Sequence, residues 1–497
     1  MSLKRQIATG AAWLIFGRFL VRLIGLTSTI ILARLLAPED FGLIALAMSV
    51  VALLDFMSAF SFDLALIADQ DSGRADYDTA WSLSILKGGI CAGGLLLAAE
   101  PAAAYFDDRR LAPIFDVLAL FILLRGFENI GIVDFRKQLA FDKDFRFNVY
   151  LKLAGFVVTI SAAFILRDYR ALLLGIVIQA LVRVMLSYGM SPYRPRWDLS
   201  RWRPIMGFSK WLLVNNLLIF LNQRSTTFIL GKVVGMRATG LFSMAEEIGN
   251  LITTELVWPV QRAVFPGYAK VSDDPVRLRS GYLDVLTVVM TLGLPVAVGL
   301  ACSAEQFVKL FLGENWLEIV PLISLMAMAG AISLCCANAG AIFIAMGRTS
   351  LIAIIAALMA LVRLPALVYA IINYQAIGAA YVLISSALFA LLLNWLAVAK
   401  ILNFSPMTLV KHVWRAPLAA AIMGLTLLGL ESRMEDKLGI FDNVLQLMTL
   451  ILSGGLVYTA LILVMWQVCR KPDGAEAYIS LFLANGFSQF QNVVARR

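Results

Sequence analysis

The chain is nearly without histidine: His412 is the only one in 497 residues. A histidine-based metal site and a histidine-dependent catalytic triad are therefore not expected on inventory. Cysteine is scarce too, and Cys91, Cys302, Cys335, Cys336 and Cys469 show no metal-binding or redox spacing, so they read as small core residues. Charged side chains make up only 15% of the chain, too few to cover a soluble protein of this length. The ten-residue alternation of an outer-membrane barrel is absent. A cleaved leader is not expected, because the apolar run after Lys4 and Arg5 is long, carries Arg18 and Arg22, and leads at once into further apolar runs.

What fills the chain is apolar: 60% of residues are hydrophobic and the mean hydropathy is +0.82. A helix crosses roughly 30 Å of hydrocarbon with about 20 apolar residues, and such runs recur from end to end. The expected fold is an all-α polytopic membrane protein of fourteen spans. Six of them cover 11–33, 41–66, 79–99, 112–133, 147–166 and 171–190. Eight more cover 211–231, 239–261, 282–302, 319–346, 350–372, 377–398, 415–430 and 443–468. The longest outer loop is expected at Glu305 to Glu318, His412 is expected in a loop, and Pro259, Pro295 and Pro365 are candidate hinges.

Lysine and arginine gather in short cytoplasmic loops. With a cytoplasmic N-terminus, one set of gaps carries Arg136, Lys137, Lys143 and Arg146, then Arg194, Arg196, Arg201, Arg203 and Lys210, then Arg262, Lys270, Arg277 and Arg279. Arg470, Lys471, Arg496 and Arg497 in the tail continue the series, so both termini are expected to be cytoplasmic. The linker from Ser191 to Pro204 mixes Trp197 and Trp202 with arginines, as suits a segment at a lipid interface rather than a nucleic-acid site. The expected domains are a six-helix lobe at 1–190, a basic amphipathic linker at 191–210, a second lobe at 211–400, and two more helices with a tail at 401–497.

One helix-turn-helix is written twice. ILARLLAPEDFGLIALA begins at Ile31 and ILGKVVGMRATGLFSMA at Ile229, a constant offset that also aligns Trp13 with Trp211, Thr29 with Thr227, and Gly42 with Gly240. Arg34 meets Lys232. Both copies start on the same side, so they are expected to be parallel repeats about an axis along the membrane normal, a plan used by transporters that rock two bundles around a cleft.

This tryptophan-bearing first helix followed by LARLLAPEDFGLIALA, with the hairpin returning as LGKVVGMRATGLFSMA, resembles the polysaccharide transporter branch of the multidrug/oligosaccharidyl-lipid/polysaccharide exporter superfamily. The resemblance implies a Wzx-type flippase rather than an enzyme. Such a protein moves undecaprenyl-diphosphate-linked oligosaccharides across a bacterial inner membrane for exopolysaccharide, capsule or O-antigen synthesis. Expected partners are the lipid-linked sugar, membrane lipids, and a polysaccharide polymerase with chain-length machinery. No cofactor is implied.

Ionisable residues inside spans are costly and commonly line cavities. Arg22 and Arg363 fall near mid-span, Arg18, Lys87, Arg125 and Arg183 lie roughly 10 Å from the cytoplasmic end, and Arg224 is deeper. Arg18, Arg22, Lys87, Arg125, Arg224 and Arg363 are candidates to bind a diphosphate, which guanidinium forks match well. Arg18 and Arg22 share one helix face. Each cation has a second reading as a helix brace, and Arg125 with Glu128 is one candidate pair. Asp55, Glu246 and Glu247 are candidates to carry coupling H+ or Na+. Two other functions stay open: a multidrug or cation antiporter of the same superfamily, which should show carboxylates at its centre, and a membrane glycan polymerase, which should show a large outer domain.

Overall fold

Long apolar runs with few helix breakers fold as long helices, because lipid offers the backbone no alternative hydrogen-bond partner. The computed structural model describes residues 3–57, 66–67, 71–138, 140–202, 210–251, 255, 258–434 and 439–469. Asp63, Arg203, Pro204 and the tail residues Arg470, Lys471, Arg496 and Arg497 lie outside the described residues. Among the described residues the regular elements are all helical. Eight helices among the described residues are long and apolar enough to cross a membrane, or nine if Pro406–Val413 and Arg415–Glu431, bent by 51°, count as one span.

The chain packs as two compact units, Met1–Ser243 and Met244–Arg497. The first contains α1 (Leu3–Leu35), α2 (Pro38–Met57), α3 (Arg74–Phe106), α4 (Leu111–Gly126), α5 (Phe141–Leu166), α6 (Arg170–Met190), α7 (Lys210–Val233) and the start of α8 (Met236–Gly249). Here α3 lies along α4, α5 along both α1 and α6, and α2 along α7. Its core is the α3/α4 seam, where Leu95, Leu111, Ile114, Phe115 and Leu118 are fully buried.

The second unit continues with α9 (Trp258–Lys270), α10 (Pro275–Cys302), α11 (Val320–Leu334), α12 (Ala339–Ala345), α13 (Thr349–Ile401), α14 (Pro406–Val413), α15 (Arg415–Glu431) and α16 (Ile440–Val468). Its core gathers around α10, with Tyr282, Leu286, Val289, Leu334 and Ala419 buried. In both units large apolar side chains also point outward, such as Leu97 at 82% and Leu456 at 73% exposure. Faces of that kind are stable in hydrocarbon, not in water.

Several local expectations are corrected. The 112–133 span stops as α4 at Gly126, and the chain then turns at Asn129 into a short helical turn. Glu305 to Glu318 is a series of short helical turns that buries Trp316, not an open loop. His412 lies in α14, with Nδ1 2.9 Å from the Thr408 carbonyl oxygen. Pro295 and Pro365 lie inside helices and Pro259 is the second residue of α9. A break at Gln375 inside α13, with φ 53° and ψ −137°, falls in the expected gap between 350–372 and 377–398, whereas the expected 319–346 span is interrupted at Asn338 between α11 and α12, with φ 67°. Near the first, a methyl group on Gly378 would overlap the Ala370 carbonyl oxygen, so only glycine lets α13 fold back so tightly there.

Candidate functional site

The α3/α4 contact is built by two glycines. Gly126 sits so close to α3 that an added methyl would lie 3.0 Å from the Ser84 carbonyl oxygen, and one on Gly88 would lie 3.3 Å from the Gly126 Cα. Small residues let helix backbones approach in this way. The residue before each glycine is cationic, so the same contact sets Lys87 beside Arg125. Both reach one carboxylate on α2: Arg125 Nη1 donates to Asp55 Oδ2 at 2.9 Å, and Lys87 Nζ lies 3.8 Å from Asp55 Oδ1.

These three side chains line a cavity of about 320 Å³ inside the first unit. A second pair shares it, with Arg183 Nη1 on α6 donating to Glu128 Oε1 at 2.9 Å while the guanidinium rests 5.5 Å from the centre of the Phe147 ring. Arg136 and Asp144, 3.3 Å apart, complete the charged wall. Four cations thus face three carboxylates. The sequence pairing of Arg125 with Glu128 is corrected: because α4 ends at Gly126, residues 125 and 128 no longer share a helical face. Each finds its partner on another helix.

The other candidate cations lie elsewhere. Arg18 is exposed and Arg22 half-buried on α1, which packs against α5, and neither lines this cavity. Arg224 is exposed on α7. Arg363 belongs to the second unit, where Glu246 is near enough to act on it electrostatically, and Glu247 beside Glu246 is exposed. Among the described residues no cluster of three or more His, Cys, Asp or Glu side chains is arranged to hold a metal ion.

The linker is stitched down rather than loose. Over 191–199 it has no helix, and its hydrogen bonds go to the first turns of α3: Tyr193 Oη donates to Asp78 Oδ1 at 2.6 Å, the Arg196 N–H to the same oxygen at 2.7 Å, and the Asp198 N–H to Ser82 Oγ at 3.0 Å. Burial, then the Asp78 carboxylate, raises the Tyr193 phenol above its ordinary value. Trp197 and Trp202 stay exposed.

At the opposite end of α2, within the first unit, the repeated hairpins meet. A methyl on Gly42 would overlap the Met236 carbonyl oxygen, and one on Gly240 would overlap the Pro38 carbonyl oxygen. Pro38 and Met236 are themselves equivalent positions of the repeat, so the contact is reciprocal about a local two-fold axis. The seam carries two ion pairs, Glu39 with Arg237 at 3.0 Å and Asp107 with Lys232 at 2.7 Å. Asp40 braces the first hairpin by accepting the Ala37 N–H at 3.0 Å and the Tyr169 N–H at 3.1 Å. The alignment contained the signal for this seam, since the repeat puts opposite charges at its equivalent positions 39 and 237.

Apolar helices of membrane-spanning length, with a charged cavity among those of the first unit, define a polytopic membrane protein. The chain belongs to the polysaccharide biosynthesis protein family, whose sequence model matches residues 31–321. It is 26% identical over 337 residues to the lipopolysaccharide biosynthesis protein WzxC of Escherichia coli (strain K12), a match that covers 67% of this chain and 68% of that protein. It is 25% identical over 311 residues to the succinoglycan biosynthesis transport protein ExoT of Rhizobium meliloti (strain 1021), covering 62% and 63%. Its fold is similar to that of the lipid II flippase MurJ in an inward closed conformation, with a TM-score of 0.72 at 15% identity, over 91% of this chain and 98% of that one.

Proposed function

We propose that the protein is a flippase for lipid-diphosphate-linked oligosaccharides in surface polysaccharide synthesis, and that the cationic cavity of the first unit receives the diphosphate. The observation that carries this reading is the placing of Lys87 and Arg125 side by side, with Arg183 across the same cavity. Guanidinium and ammonium groups make paired, charge-assisted hydrogen bonds to phosphate oxygens. A carrier of organic cations calls for the opposite balance, with carboxylates in excess.

In this reading the protein works in a bacterial inner membrane with both termini cytoplasmic and fourteen spans. The lobes at 1–190 and 211–400 act as the repeated halves, and the 401–497 segment adds two helices. Transport proceeds by alternating access: the hairpin seam at Gly42 and Gly240 parts to open the outer side. The protein moves its substrate without chemical change and hands it to a polymerase and its chain-length machinery. Arg18, Arg22, Arg224 and Arg363 offer further anion contacts along the path, and Glu246 and Glu247 are the carboxylates available for H+ or Na+ coupling.

The test is transport of a fluorescent or radiolabelled lipid-diphosphate oligosaccharide by the purified protein in liposomes. Uptake into the far leaflet should fall at least tenfold in the Lys87→Gln, Arg125→Gln double variant while the amount of protein in the membrane is unchanged. Equal transport by that variant refutes the assignment of the cavity.

A further inference from the structure

The cavity already contains an anion of its own. Asp55 accepts from Arg125 with one oxygen and faces Lys87 with the other, so it engages both cations of the α3/α4 contact at once. We propose that Asp55 is a resident counter-anion that occupies the place of the substrate phosphate on Arg125 and Lys87 and exchanges with it during transport. The proposal rests on the phosphate-binding reading of the cavity and adds how that site is kept when empty and how its occupancy reaches the rest of the first unit.

Three observations support exchange over a permanent brace. The pair is wet: the side chains of Arg125 and Asp55 are 45% and 39% exposed and that of Lys87 is 28% exposed, so water competes for them and the contact is readily broken. The neighbouring Arg183–Glu128 pair is drier, at 32% and 22%, although both arginines rest near a ring, Arg183 at Phe147 and Arg125 at Phe121. Finally, the partners belong to different helices of one unit. Lys87 and Arg125 are fixed together by the Gly88 and Gly126 backbone contact, whereas Asp55 comes from α2.

That last point gives the exchange a consequence. Asp55 ties α2 to the α3/α4 pair, and the other end of the same helix carries Gly42 and Glu39 at the hairpin seam, about 20 and about 24 Å away along the axis. A phosphate that takes over Arg125 and Lys87 releases this end of α2. When the phosphate leaves, Asp55 recovers its two cations and the tie is restored. No bond is made or broken, and the cations are never left without an anion, which is the costly state inside a membrane.

The experiment measures binding of inorganic pyrophosphate to the full-length protein in detergent, at fixed ionic strength, for the natural protein and for Asp55→Asn, Glu128→Gln and Arg125→Gln. Exchange predicts that Asp55→Asn binds pyrophosphate about two- to fivefold more tightly, the worth of one half-exposed ion pair removed from competition. Glu128→Gln controls for the general loss of a negative charge and should tighten binding by less than half as much. Arg125→Gln should weaken it. Equal tightening by both carboxylate variants, or unchanged or weaker binding by Asp55→Asn, overturns the exchange while leaving the phosphate site standing. If the natural protein binds pyrophosphate no better than Arg125→Gln, both readings fall together. Should Asp55→Asn be poorly folded, the Asp55→Ser variant tests the same point, and melting temperature with and without pyrophosphate replaces the direct titration.

Discussion

Glu39 and Arg237 are 198 positions apart in the chain and 3.0 Å apart in space, so the repeat offset of the sequence is realised as an ion pair. The two side chains are 32% and 47% exposed, and pairs of that kind add only about 0–1 kcal/mol to stability. Their position matters more than their energy. Glu39→Arg or Arg237→Glu alone should lower transport by placing like charges across the seam, and the combined Glu39→Arg, Arg237→Glu protein should recover most of it. Transport by the single charge-reversal variants at the natural rate would show that the seam stays shut or open regardless of this pair.

The reciprocal glycines should be far less tolerant. Gly240→Ala places a methyl group on the Pro38 carbonyl oxygen, and overpacking of this kind costs about 1–3 kcal/mol or more. Gly89→Ala, in open space on α3, should be neutral or stabilising by up to about 1 kcal/mol, the helix-propensity gain of alanine. Thermal unfolding of the purified variants decides this, and similar melting temperatures for the two would contradict the packing.

Asp78 is 5% exposed and accepts from both Tyr193 Oη and the Arg196 N–H. Loss of the phenol hydrogen bond in Tyr193→Phe should cost about 1 kcal/mol locally. Tryptic cleavage after Arg196 or Arg201 should quicken about fivefold, while the melting temperature of the whole protein barely moves. Unchanged cleavage would mean that the linker is held by other contacts.

Sidedness is open to direct measurement. Cysteines placed at Asp107 and Glu314 should react with an impermeant maleimide in intact cells, and those at Arg201 and Arg277 should react only after permeabilisation. Labelling of the second pair in intact cells would overturn the orientation drawn from loop charge.

Most of the helical architecture was legible because hydropathy acts over twenty residues at a time and is insensitive to detail. The tight hairpin partnership was legible as a repeat, with Trp13, Gly42 and their counterparts in register. The pairing of the charges was not. Arg125 and Glu128 suit a single helix face, and only the early stop of α4 at Gly126 separates them. That stop is a packing event: Gly126 is pressed against α3, and Asn129 then turns the chain by accepting the Gly131 N–H with its side-chain oxygen and donating its own backbone N–H to the Ser187 hydroxyl oxygen. The break at Gln375 falls in the expected gap between 350–372 and 377–398, but the one at Asn338 was hidden, because it interrupts an apolar run that hydropathy reads straight through as 319–346.

The seam of Glu39 with Arg237 also bears on how the duplicated hairpins recognise each other. Two copies of the first hairpin brought together on the same axis would set glutamate against glutamate, and two copies of the second would set arginine against arginine. Only the unlike pair is neutral. The unlike charges therefore favour pairing of a first hairpin with a second over pairing of either with its own kind. Opposite charge at equivalent places gives the two segments distinct, complementary roles at a seam that their reciprocal glycines alone would leave interchangeable.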